Sequence, residues 1–368
     1  MGKSYNCPYR EMPATSNWRK AIEAVKANDV DPVVSVKFGL ESSEKIATAG
    51  SCFAQHVARY LKQEGGSYFV TEPGNRVLGS EILEEFNYGT FSARYGNIYT
   101  TRQLLQLIKR AYGEFVPNDD VWVTEDGFVD PFRPFIQPGG FGSLREYRLD
   151  RERHFAAVRS LFEEMDVFVF TLGLTECWES TVDGAVYPIC PGCGVGNFDP
   201  TLHRFKNLNF SETYADLQSA LSRLFDINPN LKVILTVSPV PLVATAEPRH
   251  VLSSTTYSKS VLRAVAGEIA EKDQRIDYFP SYEIITGNYS RGGYYEKDLR
   301  SVTEPGVNHV MRTLFAHYYG REIASYRPSH KQAVASNDRG PKVNVVETAS
   351  SKAARVVCDE ENLETAMS

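Results

Sequence analysis

No stretch of 18 or more apolar residues occurs in this sequence, so no membrane-spanning helix is expected. The opening Met1-Gly-Lys-Ser-Tyr-Asn-Cys-Pro8 lacks the apolar core of a secretory signal, and Asn6 stands where a myristoylation start wants Ser or Thr. A cytoplasmic protein with no membrane insertion is the expectation. Basic runs are also missing: 40 Lys and Arg are dispersed among 46 Asp and Glu, net charge −6, which argues against a nucleic-acid partner. The six cysteines are scattered, and without a signal peptide they do not read as a disulfide framework. No aromatic residue follows Tyr326, so residues 326 to 368 are expected to form a disordered tail with too little apolar surface to offset chain entropy.

What is present suits a sizeable core. Hydrophobic residues make up 42% of 368, enough for one α/β domain with insertions. Buried-strand runs alternate with helical stripes at residues 45 to 65, 154 to 172, 214 to 237 and 258 to 279. This alternation predicts a three-layer α/β/α sandwich with a mostly parallel sheet. Residues 1 to 44 read as a wrapping arm, with a helical segment from Trp18 to Ala27. Residues 45 to 325 form the domain, interrupted by loop-rich insertions near 113 to 150 and 180 to 210.

The organising stretch is Lys45-Ile-Ala-Thr-Ala-Gly-Ser-Cys-Phe-Ala54, where an apolar strand ends in Gly50-Ser51 and a helical pattern starts at once. A Ser at such a turn lies at a strand's carboxyl end and beside a helix N-terminus, where N–H groups favour an oxyanion. Ser51 is thus a candidate nucleophile, or else an ordinary N-cap. Cys52 is a second candidate nucleophile, though Phe53 beside it argues for burial. Further on, Tyr68 to Val70 reads as a short strand. Tyr95-Gly-Asn97 is a turn in which Gly96 and Asn97 either supply oxyanion donors or merely positive φ. Asp166 to Leu172 is a strand buried on both faces, and it ends in Gly173-Leu-Thr-Glu176, at the strand end where α/β sheets bind ligands.

Cys190-Pro-Gly-Cys193 invites zinc and redox readings, but only His203 is near and the surroundings are Pro, Gly and Asn; an incidental role is expected, with no metal and no cofactor. Ser258-Lys259 is adjacent on a helix that Tyr257 to Ser260 is expected to open. Neighbours in a helix do not face one another, so capping is the preferred reading.

The segment Gly50-Ser-Cys-Phe-Ala54 resembles the signature of the GSCFA family, a branch of the SGNH-hydrolase-like superfamily, and the later stretches agree over roughly residues 40 to 320. The resemblance implies a flavodoxin-like sheet and a Ser-centred acyl-transfer site acting on a small-molecule or carbohydrate ester. Ser51 would attack, and the oxyanion would be held by the N–H groups of Ser51 and Gly96 with Thr175 or Asn97. Thr175 stands where most SGNH-like enzymes carry Asn, and Glu176 where they carry Asp. These enzymes also place an Asp-x-x-His motif before the last helix; here Asp298-Leu-Arg-Ser301 keeps the Asp and puts Ser301 in place of the His. His309, off the apolar stripe of the last helix, becomes the preferred base, with His250, His203 and His56 as alternatives and Asp298 or Glu176 to orient it. The expected activity is an O-ester hydrolase or O-acyltransferase. The alternative is a carbohydrate-binding or assembly protein that kept the pocket without the base.

Overall fold

The computed structural model describes residues 7 to 75, 77 to 321 and the single residue Asp359. The helices are α1 Ala54–Gln63, α2 Ser80–Glu85, α3 Thr101–Ala111, α4 Leu144–Glu164, α5 Phe210–Ile227, α6 Val251–Lys272, α7 Ser281–Thr286 and α8 Glu304–Tyr319. The strands are β1 Ile46–Gly50, β2 Trp122–Val123, β3 Phe128–Val129, β4 Val167–Leu172, β5 Glu176–Ser180, β6 Val186–Tyr187, β7 His203–Asn207, β8 Lys232–Val237 and β9 Ile276–Tyr278.

The central sheet is wholly parallel in the order β1-β4-β8-β9. Its strands are apolar on both faces, as a sheet covered on two sides requires. Ala47, Ala49, Phe168, Phe170, Val233 and Leu235 pack against α3 to α6. Ile46, Val167, Val169 and Ile234 pack against α1, α7 and α8. The three-layer α/β/α sandwich is therefore what the molecule builds. Tyr68 adds a parallel bridge to Ile46 at the free edge of β1. The expected strand at Tyr68 to Val70 is reduced to that contact. Counting it as a vestigial second strand, the order reads 2-1-3-4-5, and the switch in direction falls at the carboxyl end of β1, where doubly wound sheets bind their ligands.

Several expectations are corrected. The segment Trp18 to Ala27 is a π-turn, Arg19–Glu23, followed by a 3-10 turn, Ala27–Asp29, rather than a regular helix. The first insertion ends earlier than expected, since α4 begins at Leu144 under a Ser143 cap whose side chain accepts from Glu146 N. The second insertion carries an antiparallel sheet in the order β6-β5-β7. α6 starts at Val251, capped by His250, so Ser258 and Lys259 lie within the helix and do not cap it. The early segment runs along α8, with Leu40 N donating to Tyr318 O at 2.7 Å and Arg312 Nη2 to Asn28 O at 2.6 Å. The expected tail lies outside the described residues except for Asp359.

Candidate active site

Gly50 has φ +130°, and a Cβ there would sit 2.2 Å from Thr171 O, so only glycine lets β1 end this close to β4. The chain then turns so that Ser51 N donates to Thr171 O at 3.1 Å and Ser51 O accepts from Ala54 N at 2.9 Å. Ser51 is 3% exposed, and its Oγ has no hydrogen-bond partner among the described residues. α1 has no side-chain cap. The N-cap reading of Ser51 therefore fails. A buried hydroxyl without a partner forfeits about 1–3 kcal/mol, which stability alone does not explain. The Ser51 N–H is spent on Thr171, so it is not free to hold an oxyanion in this conformation.

The exits of β1 and β4 and the 96 to 99 segment meet beside Ser51. Gly173 packs so closely that a Cβ on it would lie 3.0 Å from Ser51 Cβ and 3.1 Å from Tyr99 O. Gly173 N and Leu174 N both donate to Tyr99 O, at 3.1 and 2.9 Å, and Ile98 N donates to Gly50 O at 2.8 Å. The 96 to 99 segment is thereby stitched to the exits of β1 and β4. Gly96 takes φ +73°, the conformation its turn needs. Asn97 Oδ1 accepts from Gln55 Nε2 at 3.2 Å, while its Nδ2 donates to Asp359 Oδ2 at 3.0 Å. Tyr99 OH donates to the same oxygen at 3.4 Å and accepts from Asp359 N at 3.1 Å. A carboxylate oxygen thus stands where Asn97 and Tyr99 would meet any anionic or carbonyl oxygen.

Thr175 is fully buried, and its Oγ1 also lacks a partner. Its backbone N donates to Ser258 Oγ at 3.1 Å, and Lys259 Nζ donates to Gly173 O at 2.7 Å. The Ser-Lys pair of α6 therefore grips the Gly173–Thr175 bend. Sequence reasoning set Lys259 aside because it was weighed only against its neighbour Ser258; the signal was a lysine followed at helical spacing by an apolar stripe. Tyr99 and Gln55 were missed as well.

The expected base is not delivered to Ser51. His309 is 3% exposed, not on the outer face: Nε2 bonds Val30 O and Nδ1 bonds the Tyr294 hydroxyl, each at 2.8 Å. Burial lowers its affinity for a proton, opposed by the Val30 carbonyl. Both ring nitrogens are committed away from the nucleophile. Asp298 is exposed and accepts from Ser301 Oγ at 2.5 Å, and no described histidine is bonded to it. Desolvation is the largest single influence and raises the Asp298 carboxyl, but the Ser301 and Arg300 hydrogen bonds together outweigh it and hold it below the usual range.

Glu176 is bound to Thr245 Oγ1 at 2.8 Å and reaches no described histidine. Burial raises its pKa. It lines a cleft of about 200 Å³ beside the bend, with Leu174, Trp178, Tyr187 and Phe205. His250 caps α6, and His203 Nδ1 accepts from Asp199 N at 3.1 Å. His56, one turn past Ser51, keeps its Nδ1 enclosed and unpartnered; burial and then the Arg59 charge push its pKa down to about 3. Cys52 is buried. Among the described residues no cluster of three or more His, Cys, Asp or Glu suits a metal ion. Desolvation, then the neighbouring Cys193 thiol, raises Cys190 to about 12, the opposite of a reactive thiol.

Over the pocket, Arg94 and Arg133 share Asp150 at 2.9 and 2.8 Å, and Arg94 Nη2 donates to Ile136 O at 3.0 Å. These bonds pin the first insertion against the segment that carries Gly96 and Asn97.

The fold is a parallel α/β sheet covered by helices on both sides, with Ser51 directly after the end of β1. The chain belongs to the GSCFA family, whose model matches residues 45–314. No curated protein and no solved structure matches it. No helix among the described residues is long and apolar enough to cross a membrane.

Proposed function

We propose that this protein is a serine esterase or O-acyltransferase of SGNH type, acting through an acyl-enzyme on Ser51. The observation that carries the reading is the Ser51 hydroxyl, buried and without a partner at the switch point of the sheet and pressed against Gly173. A nucleophile held this way is fixed in position yet has no bond to surrender before it attacks. Thr175 Oγ1 and Asn97 Nδ2 are the oxyanion donors in this reading, with Gly96 N–H beside them. The Asp359 carboxylate oxygen at Asn97 and Tyr99 stands in for the acyl oxygen that these groups would receive. The cleft beside Glu176 takes the remainder of the substrate, and an acetylated sugar is the class suggested by family resemblance.

A fluorophosphonate probe tests the reading. Labelling of the full chain at Ser51, identified by peptide mass and absent in Ser51→Ala, is the expected result. A folded chain that takes no label at Ser51 would refute it. The second reading, a protein that binds an ester or sugar without turning it over, is favoured by Ser301 in the histidine's place, and it predicts ligand binding with no label.

A further inference from the structure

We propose that Lys259 is the proton acceptor for Ser51, making the pocket a serine–lysine pair assembled from the β1 exit and the third turn of α6. The inference rests on the reading of Ser51 as nucleophile and supplies the base that reading lacks.

Lys259 is 1% exposed, among the largest fully enclosed side chains of the described residues, and Nζ is 2.7 Å from Gly173 O. Gly173 is the residue whose missing side chain leaves room for Ser51. The amine and the hydroxyl therefore flank one glycine. The face of α6 that does this is polar: Ser254, Ser258 and Lys259 are all buried there, and Ser258 fixes the register by accepting from Thr175 N. Enclosing an amine is costly, and an apolar residue of similar volume fills the same space more cheaply. An amine withdrawn from water also gives up its proton more readily than an exposed one, and lysine serves as a general base on that account.

Among the described residues no imidazole is bonded to Ser51: His309, His250, His203, His154 and His317 are each bonded to other groups, and His56 has no bond to it.

In the reaction the unbranched Lys259 side chain swings Nζ from Gly173 O toward Oγ, a tightening common on substrate binding. The neutral amine takes the Ser51 hydroxyl proton as Oγ bonds to the acyl carbon. The resulting ammonium hands that proton to the departing alkoxide as the ester C–O bond breaks. Water, or an acceptor hydroxyl, then gives its proton to the amine as its oxygen attacks the acyl-enzyme. The ammonium returns the proton to Ser51 Oγ as that bond breaks, which restores the starting state.

The test measures fluorophosphonate labelling rate and p-nitrophenyl acetate turnover on the full chain. Lys259→Met, close in volume, is expected to lose about 10²–10⁴-fold in labelling rate and in kcat, with KM little changed. Lys259→Arg retains N–H donors for Gly173 O but stays protonated and cannot accept a proton, so it is expected to be as slow. Melting curves establish that both variants fold. Labelling of either variant within threefold of wild type, while wild type is labelled at Ser51, would overturn the assignment of Lys259 and leave the nucleophile standing. Wild type unlabelled at Ser51 would overturn both. Should the Lys259 variants not fold, His56→Ala decides: labelling near the wild-type rate supports the lysine, and loss as complete as in Ser51→Ala gives the role to the imidazole.

Discussion

Replacing Gly173 with Ala inserts one methyl group between Ser51 and Tyr99. Built on the existing backbone, that methyl lies 3.0 Å from Ser51 Cβ, 3.1 Å from Tyr99 O and 3.3 Å from Tyr99 Cα. Carbon atoms prefer roughly 3.5–4.0 Å, so about 0.5 Å of relief is needed. Tyr99 cannot supply it, because its carbonyl takes two backbone bonds and its N–H donates to Gln103 Oε1 at 3.0 Å. Ser51 must therefore move. Overpacking of this size costs about 1–3 kcal/mol of stability, while a nucleophile displaced by a fraction of an ångström to 1 Å loses about 10²-fold in rate. The expected outcome is a folded protein with a modestly lowered Tm and probe labelling slower by about two orders of magnitude. Stopped-time labelling with gel quantification, alongside a thermal melt, measures both. A Gly173→Ala protein that labels at the wild-type rate would refute the placement of Ser51 against this glycine as the source of its reactivity.

Gly50→Ala is expected to be far harsher, costing about 3 kcal/mol or more by denaturant titration, since its Cβ meets Thr171 O at 2.2 Å in a left-handed backbone. Thr175→Val removes a buried hydroxyl that has no partner, so stability should hold or rise by up to about 1 kcal/mol. The same change should slow turnover by about 10–10³-fold if Thr175 Oγ1 serves the oxyanion. His56 falls from its usual 6.5 to about 3 on folding, so the unfolded chain binds a proton that the folded one refuses. Stability then rises with pH between those values, and between pH 7 and pH 5 wild type should lose about 2 kcal/mol more than His56→Gln does. Asp150→Ala leaves the buried Arg94 and Arg133 short of a carboxylate and should cost about 3 kcal/mol, read as a drop in Tm.

The parts of the fold legible in the sequence were those driven by burial. β4 and β8 are mostly apolar runs, interrupted only by Thr171 in β4 and by Lys232 and Thr236 in β8, and their bounds follow the pattern closely. The strand–turn–helix around Ser51 was equally clear, because Gly50 marks the only way to make that turn. Other parts followed no apolar stripe. The first turns of α4, Leu144 to Arg153, are mostly charged and held by the Ser143 cap and by ion pairs, so periodicity started the helix ten residues late. The start of α6 is rich in Ser and Thr, and the face it buries is polar, which reverses the usual signal. β5, β6 and β7 are two to five residues long and find their partners across a turn-rich segment, where strand propensity says little. The candidate site divides the same way: Ser51, Gly173 and Thr175 could be placed from one strand end each, whereas the fate of His309 depended on Val30 and Tyr294, 279 and 15 positions away.

The bond between Val30 and His309 has a consequence for assembly. Each strand of the central sheet is laid down outside the one before it, so β1, β4, β8 and β9 can accrete in the order of synthesis. The helix α8 arrives afterwards and finds its seat half made by the segment around Val30 and Leu40, which β9 already holds through the bond from Lys37 N to Asp277 Oδ2. Such a clasp shuts last and opens first. Hydrogen exchange should therefore find the amides of Leu40 and the end of α8 released together, ahead of the sheet they cover.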